Sequence, residues 1–194
     1  MGSNQNTRDK IIQAALAVIG ERGTNGVTTR IIAGKANVNH AAINYYFNSK
    51  EELIERALEH YYEGLEDVFL ILRDQKISAK ERLIKFAEDY IRYDNRFPGV
   101  KHQIMSHLIV GKEADSKVSG LMPGNMQAIK LVFQEILEGL EDKTISFKAM
   151  AFISGVAYPL LMTRYGDVVM GSGYGENALT REYIKELINS LTKE

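Results

Sequence analysis

The stretch Gly26–Leu53, GVTTRIIAGKANVNHAAINYYFNSKEEL, decides how the rest of the chain is read. It carries one helix-start signal twice. Thr28 is a good N-cap, and Val27 before it can staple onto Ile32 in the first turn. Asn39 repeats the pattern, with Val38 stapling onto Ile43. Two short helices follow, one from the Thr28 cap to Ala36 and one over His40 to Tyr46, joined by Asn37-Val38-Asn39. That length suits a helix-turn-helix, in which the second helix enters the major groove while the first crosses the backbone. Ala33, Ala36, Ala41 and Ala42 keep the pair thin. Ser49 and Glu52 then form a capping box for a long helix with Ile54, Leu58, Tyr61, Leu65, Val68 and Leu72 at helical spacing.

Outward from this stretch the period stays helical. Upstream, Ile11, Ile12, Ala15, Leu16 and Ile19 form the apolar stripe of a first helix, read from Arg8 onward and ended by Gly23. Downstream, Ser78 and Glu81 form a second capping box, opening a helix with Leu83, Ile84, Ala87, Tyr90 and Ile91 that stops near Asn95. Pro98 is placed to fill the first turn of the next, which carries Ile104, Met105, Leu108 and Ile109. Gly111 to Gly124 reads as a loop, with Pro123 starting a helix through Ile129, Val132, Phe133 and Ile136 that ends near Gly139. Ser146 to Arg164 is the most apolar helix, with a kink expected at Pro159. Gly166 to Gly175 is a loop, and Thr180 opens a last helix with Ile184, Leu187, Ile188 and Leu191 on one stripe. The expectation is an all-α fold of about nine helices with no strand.

Composition narrows the function. With 45% hydrophobic and 25% charged residues in 194, the chain has the balance of a globular protein. The absence of cysteine removes disulfides, thiolate metal sites and cysteine nucleophiles, and fits a reducing cytosol. Ala149 to Met162, the longest apolar stretch, is too short to span a membrane, and Met1 to Thr7 lacks a signal-peptide core. A cytoplasmic location is therefore expected. Net charge is −1 overall but uneven. Residues 1–50 hold Arg8, Lys10, Arg22, Arg30, Lys35 and Lys50 against Asp9 and Glu21, which is +4 and leaves −5 for the remainder. A basic head on an acidic body can bind phosphates with the head alone.

Over Thr7 to about His60 the sequence resembles the TetR family of bacterial transcriptional regulators. The likeness is carried by Thr28, Thr29 and Arg30 at the second helix, by Ala41, Ala42, Ile43, Tyr46 and Phe47 in and after the third, and by Lys50 at the fourth. Asn44 stands where a tyrosine is commoner, and asparagine can itself bond a phosphate or an adenine edge. The resemblance implies that Thr28, Thr29, Asn39, Asn44, Tyr45, Tyr46 and Lys50 position the backbone of DNA. It also implies that Arg30 and His40 reach base edges and that Ala41 lies in the same interface, with Phe47 in the core.

The resemblance further implies a division into a DNA-binding domain at 1–50 and a C-terminal ligand-sensing and dimerisation domain at 51–194. Tyr90, Tyr93, Phe97, His102, Met105, Tyr158 and Met162 are the candidate lining of a pocket for a small hydrophobic or aromatic effector. A homodimer through Ile145–Arg164 and Thr180–Leu191 is expected, its apolar faces being too extensive for one small domain to cover. The implied function is a repressor released from a palindromic operator when the effector binds. No enzyme is expected. The Gly171–Gly175 cluster has neither the strand nor the lysine of a phosphate loop. His40, His60, His102 and His107 lack metal-ligand spacing, so neither cofactor nor metal is implied.

Overall fold

The computed structural model describes the backbone of residues 2–109, 116–161 and 177–193. Among the described residues it holds nine α-helices and no strand. They are α1 (Gly2–Arg22), α2 (Thr29–Ala36), α3 (His40–Tyr46), α4 (Lys50–Phe69), α5 (Ala79–Arg96), α6 (Val100–Ile109), α7 (Ser116–Ile136), α8 (Asp142–Leu161) and α9 (Asn177–Thr192). Single 3₁₀ turns lie at Thr24–Gly26 and Leu70–Arg73.

The last helix begins at Asn177, three residues before the expected Thr180, and four other boundaries differ from those the sequence suggests, each for a local reason. The first helix begins at Gly2 rather than Arg8, because extending a formed helix into polar residues costs little once the apolar turns exist. Pro98 precedes α6 instead of opening it. Gly99, at φ 82°, accepts from Gln103 N with its carbonyl and acts as the N-cap. The expected loop at 111–124 is helical from Ser116, upstream of Pro123. The apolar helix starts at Asp142, whose acid suits a helix N-terminus, and Ser146 Oγ donates to the Asp142 carbonyl at 2.8 Å inside the helix instead of capping it. Arg164 and the 166–175 loop lie outside the described residues.

The chain divides into two compact units, residues 1–64 with 97–113 and residues 65–96 with 114–194. The first unit is built on α1. Ile11, Ala15, Leu16 and Ile19 are wholly buried along one stripe, and α1 packs on both α2 and α6. Val27 and Ile32 are both buried, as the staple requires, and so are Ile43, Phe47, Leu53 and Ala57. At α6 the contact is backbone on backbone. A Cβ on Gly20 would sit 2.0 Å from the Pro98 carbonyl oxygen, and one on Gly99 would sit 2.4 Å from that of Gly20. Phe97 beside this turn meets Tyr61 edge to face at 5.7 Å. No local pattern in the sequence joins α6 to the unit that carries α2 and α3.

The second unit has an aromatic core. Phe86 lies 4.7 Å from Phe69, 5.6 Å from Tyr90 and 6.1 Å from Phe152, and Phe133 stacks 5.8 Å from Phe152. Arg82, only 2% exposed, donates to the Leu72 carbonyl at 3.0 Å and pairs with Glu135, tying the end of the 3₁₀ turn to α5 and α7. Ser78 caps Glu81 N as expected, but the Glu81 carboxylate pairs with Arg181 of α9 rather than returning to the cap. Tyr183 donates to the Gly155 carbonyl at 3.0 Å, where α8 and α9 approach closely.

Helix α8, which extends the apolar stretch upstream to Asp142, has the length and, at a mean hydropathy of 1.3, the composition of a membrane-crossing helix. Its Ile145, Ala149, Phe152, Val156 and Leu160 are instead buried in the core of the second unit.

Two glycines separate packing from propensity. In a helix, alanine in place of glycine is favourable by about 0.5–1 kcal/mol. Gly34 has nothing within 4 Å of where a methyl would stand, so Gly34→Ala should stabilise by that amount. Gly20→Ala must push against backbone and should instead cost about 1–3 kcal/mol net. Urea unfolding of both variants checks the signs.

Candidate nucleic-acid interface

The turn between α2 and α3 is made by backbone geometry that the sequence can adopt cheaply. Asn37 sits at φ 53° and ψ 48°, a left-handed conformation that asparagine tolerates better than most side chains, and it closes α2 by donating to Gly34 O at 3.2 Å. Val38 N reaches back to Ala33 O at 3.0 Å, a Schellman-type closure. Both expected caps are present. Thr28 Oγ1 accepts from Ile31 N at 3.2 Å, and Asn39 Oδ1 accepts from Ala41 N at 2.9 Å.

Helix α3 is thereby held with one face in and one face out. Ile43 is buried within it, and Phe47, which ends it, is buried too and lies under the Arg8 guanidinium at 5.7 Å. His40, Ala41, Asn44 and Tyr45 are exposed at i, i+1, i+4 and i+5, and Tyr45 is 73% exposed. Tyr46 is half-buried and stacks on Tyr45 at 5.0 Å. Thr28 and Arg30 are exposed at the start of α2, while Thr29 is half-buried with its hydroxyl 2.8 Å from His40 Nε2. Lys50 is partly exposed at the start of α4, 3.6 Å from Glu51. All ten expected DNA-side residues thus fall in one unit.

Charge adds to this arrangement. No acidic residue occurs between Glu21 and Glu51, a run that includes the whole of α2 and α3. A count of charge over residues 1–50 passes over this run. Lys35 is drawn aside into an ion pair with Glu21 at 2.5 Å, and its hydrogen bond holds the Glu21 carboxyl below the usual carboxylate range. Arg30 is exposed at the start of α2, and Lys50 opens α4 beside Glu51.

The capping box at α4 is only half formed. Glu52 N donates to Ser49 Oγ at 3.0 Å, but the Glu52 carboxylate accepts from Asn48 N at 2.9 Å and Asn48 Nδ2 at 2.7 Å, one residue earlier than the box predicts. The Asn48 backbone hydrogen bond, with its side chain, lowers the Glu52 pKa.

The seven candidate pocket residues are not gathered in the same way. Tyr90 belongs to the aromatic core of the second unit and Tyr93 lies half-buried on the same helix, beside Arg96. Phe97 packs on Tyr61 in the first unit, with His102 exposed and Met105 half-buried on α6. Tyr158 is 55% exposed on α8, and Met162 lies outside the described residues. A described cleft of about 230 Å³ in the second unit is lined by Leu72, Arg82, Ala128, Val132 and Glu135 among others, and by none of the seven.

The second unit also carries an uncovered apolar stripe. Phe147, Met150 and Tyr158 are exposed at 59%, 58% and 55%, with Ala151 and Ser154 between them on the same side of α8. Leu187 and Leu191 of α9, expected at an outer surface, are partly buried against the core of their own unit.

A seven-residue helix with a polar outward face, capped and seated on a preceding helix across a three-residue turn, is a helix-turn-helix on a helical body. The profile of the bacterial regulatory proteins of the tetR family matches residues 11–57. The chain is 29% identical over 136 residues to Probable HTH-type transcriptional regulator YttP of Bacillus subtilis, covering 68% of this chain and 63% of that protein. It is 26% identical over 84 residues to IcaR of Staphylococcus aureus, a negative transcriptional regulator of the biofilm operon icaADBC, covering 43% of this chain and 45% of that one. The matched region therefore spans less than two thirds of either relative. The crystal structure of HlyIIR, a hemolysin II transcriptional regulator, superposes with a TM-score of 0.66 at 21% identity, covering 98% of this chain and 99% of that one, which speaks for the fold. Over its helix-turn-helix region the chain is thus similar to regulators of the tetR family.

The first turn of α4 provides a pH test. A carboxyl whose folded pKa is lowered stabilises the fold above its unfolded pKa and loses that contribution as pH falls through the folded value. In an NMR pH series the chemical shift of the Asn48 amide proton should therefore follow the Glu52 carboxyl, with a midpoint below the usual glutamate range. Glu52→Gln should abolish that titration. A midpoint at the ordinary glutamate value would mean that the cap does not form.

Proposed function

We propose that this protein is a DNA-binding transcriptional regulator, a repressor that occupies a near-palindromic operator as a homodimer and leaves it when a small organic effector binds the C-terminal body. The observation that carries the reading is the outward face of α3, His40, Ala41, Asn44 and Tyr45, displayed within a run of sequence free of acidic residues. Such a face is shaped for the major groove, and the missing acids remove repulsion from phosphate. Thr28, Thr29, Asn39, Tyr46 and Lys50 are assigned to the DNA backbone, Arg30 and His40 to base edges. IcaR is a negative regulator by name, which favours repression over activation.

The homodimer is supported by the stripe of Phe147, Met150 and Tyr158, large apolar groups that a monomer would leave in water. A second copy presenting the same stripe about a two-fold axis covers both. It also pairs the two heads, which is why half-sites about one helical turn apart, or a multiple of it, are expected. Operation in the bacterial cytoplasm follows from a DNA partner. Effector binding rests on the family: a ligand weakens operator binding only if it prefers the unbound state, and couplings of about 1–3 kcal/mol are usual.

A gel shift with DNA flanking the protein's own gene tests the central reading, and selection from random sequence defines the motif. No retardation of any fragment at low salt would refute it. Lys50→Ala should weaken all sequences alike and reduce the salt slope by about one unit per head. Arg30→Ala should cost about 1–3 kcal/mol on the operator and relax one position per half-site. Uniform weakening by Arg30→Ala would make Arg30 a phosphate anchor.

Dimerisation is tested by sedimentation. Phe147→Glu with Met150→Glu should give a monomer of unchanged helicity, since neither side chain enters the core. A dimer that survives both charges would place the interface elsewhere. Charges at Leu187 or Leu191 are unsuitable, because they would disturb the core as well.

A further inference from the structure

Thr29 and His40 each open a helix, and their side chains meet across the turn with Thr29 Oγ1 2.8 Å from His40 Nε2. We propose that Thr29 is a positioning residue that fixes the tautomer of His40 on DNA, so that His40 selects a base presenting an amino group, adenine or cytosine. The inference rests on the DNA-reading function proposed above.

The number of available protons decides which ring nitrogen is left bare. A hydroxyl has one hydrogen to donate and two lone pairs with which to accept. Phosphate oxygens at the backbone only accept, and the first helix of a helix-turn-helix crosses that backbone. Thr29, the first residue of α2, therefore directs its hydrogen to phosphate. Towards His40 it can then only accept. Nε2 must carry the hydrogen, and a neutral imidazole protonated at Nε2 has a bare acceptor at Nδ1. In the major groove an acceptor is answered by the N6 amino group of adenine or the N4 amino group of cytosine, whereas guanine and thymine offer acceptors there. The same bond restrains an exposed ring that would otherwise lose rotational freedom on binding. The phosphate contact and the base choice are thus one device: without the phosphate, Thr29 can donate to Nε2 and the preference inverts.

Thr28, next to this pair, takes no part in it. Its Oγ1 already accepts from Ile31 N, so its role in the cap is separate from the pair. Binding sequences are selected from random DNA at pH 8 with the wild type, His40→Ala, Thr29→Val, Thr29→Ser and the Thr29→Val/His40→Ala double variant. The wild type should enrich adenine or cytosine at one position per half-site, and His40→Ala should erase that preference. Thr29→Val, which keeps the shape and loses the hydroxyl, should broaden the same position, Thr29→Ser should restore it, and the double variant should be no broader than His40→Ala. Replacing the selected base by its analogue without the amino group should weaken wild-type binding about tenfold and leave His40→Ala unaffected. Melting curves of Thr29→Val establish that the head is folded.

Guanine or thymine at that position would overturn the tautomer assignment, and a Thr29→Val variant weakened uniformly with its motif unchanged would reduce Thr29 to a phosphate anchor. Either result leaves the DNA-reading function standing. A wild type that enriches no motif would remove that function and this inference with it.

Discussion

A helix of seven residues cannot hold itself together in water, because the cost of nucleation exceeds what so few hydrogen bonds return. Helix α3 therefore exists only through what it leans on. Ile43 and Phe47 are buried, and α2, on which α3 packs, is itself seated on the stripe of Ile11, Ala15, Leu16 and Ile19 in α1. Burial of that stripe is the constraint on which the head depends. It fixes α2, α2 and the Asn37 turn fix α3, and α3 is left with one face free to meet a partner.

The same constraint reaches further along the chain than the motif does. Helix α6 is joined to α1 through Gly20 and Gly99, at a separation no other residue type would allow. A segment distant in sequence is thereby made part of the unit that carries the helix-turn-helix. Any movement of α6 must be felt by α1 through backbone contact, with no flexible side chain to absorb it.

In the second unit polar groups supply what an apolar core alone would not. Arg82 is buried and paired, joining the Leu72 carbonyl to Glu135, and Arg181 joins Glu81 and Glu88 to α9. Partly buried ion pairs such as these are weak sources of net stability, since desolvation and solvent screening offset much of the attraction. Their contribution here is geometric: they specify which helix ends meet. The apolar content of α8 is divided between that core and the uncovered stripe of Phe147, Met150 and Tyr158.

The sequence by itself determined the helical character of the chain, the caps of the first unit and the outward face of α3. Thr28, Asn39 and Ser49 cap the helices they were expected to cap, because capping depends on a side chain and an amide three residues away or fewer. The inward and outward faces of α3 follow from its period alone. What tertiary structure decided involves partners far apart in the chain, which no local pattern encodes. It sent the Glu81 carboxylate to Arg181, a hundred residues away, instead of back to its cap. It turned Leu187 and Leu191 inward while leaving Phe147 outside, although all three belong to apolar stripes. It placed Tyr90 and Phe97 in different units although only seven positions separate them. A helical period says which residues share a face, but what covers that face is settled only when the other helices arrive.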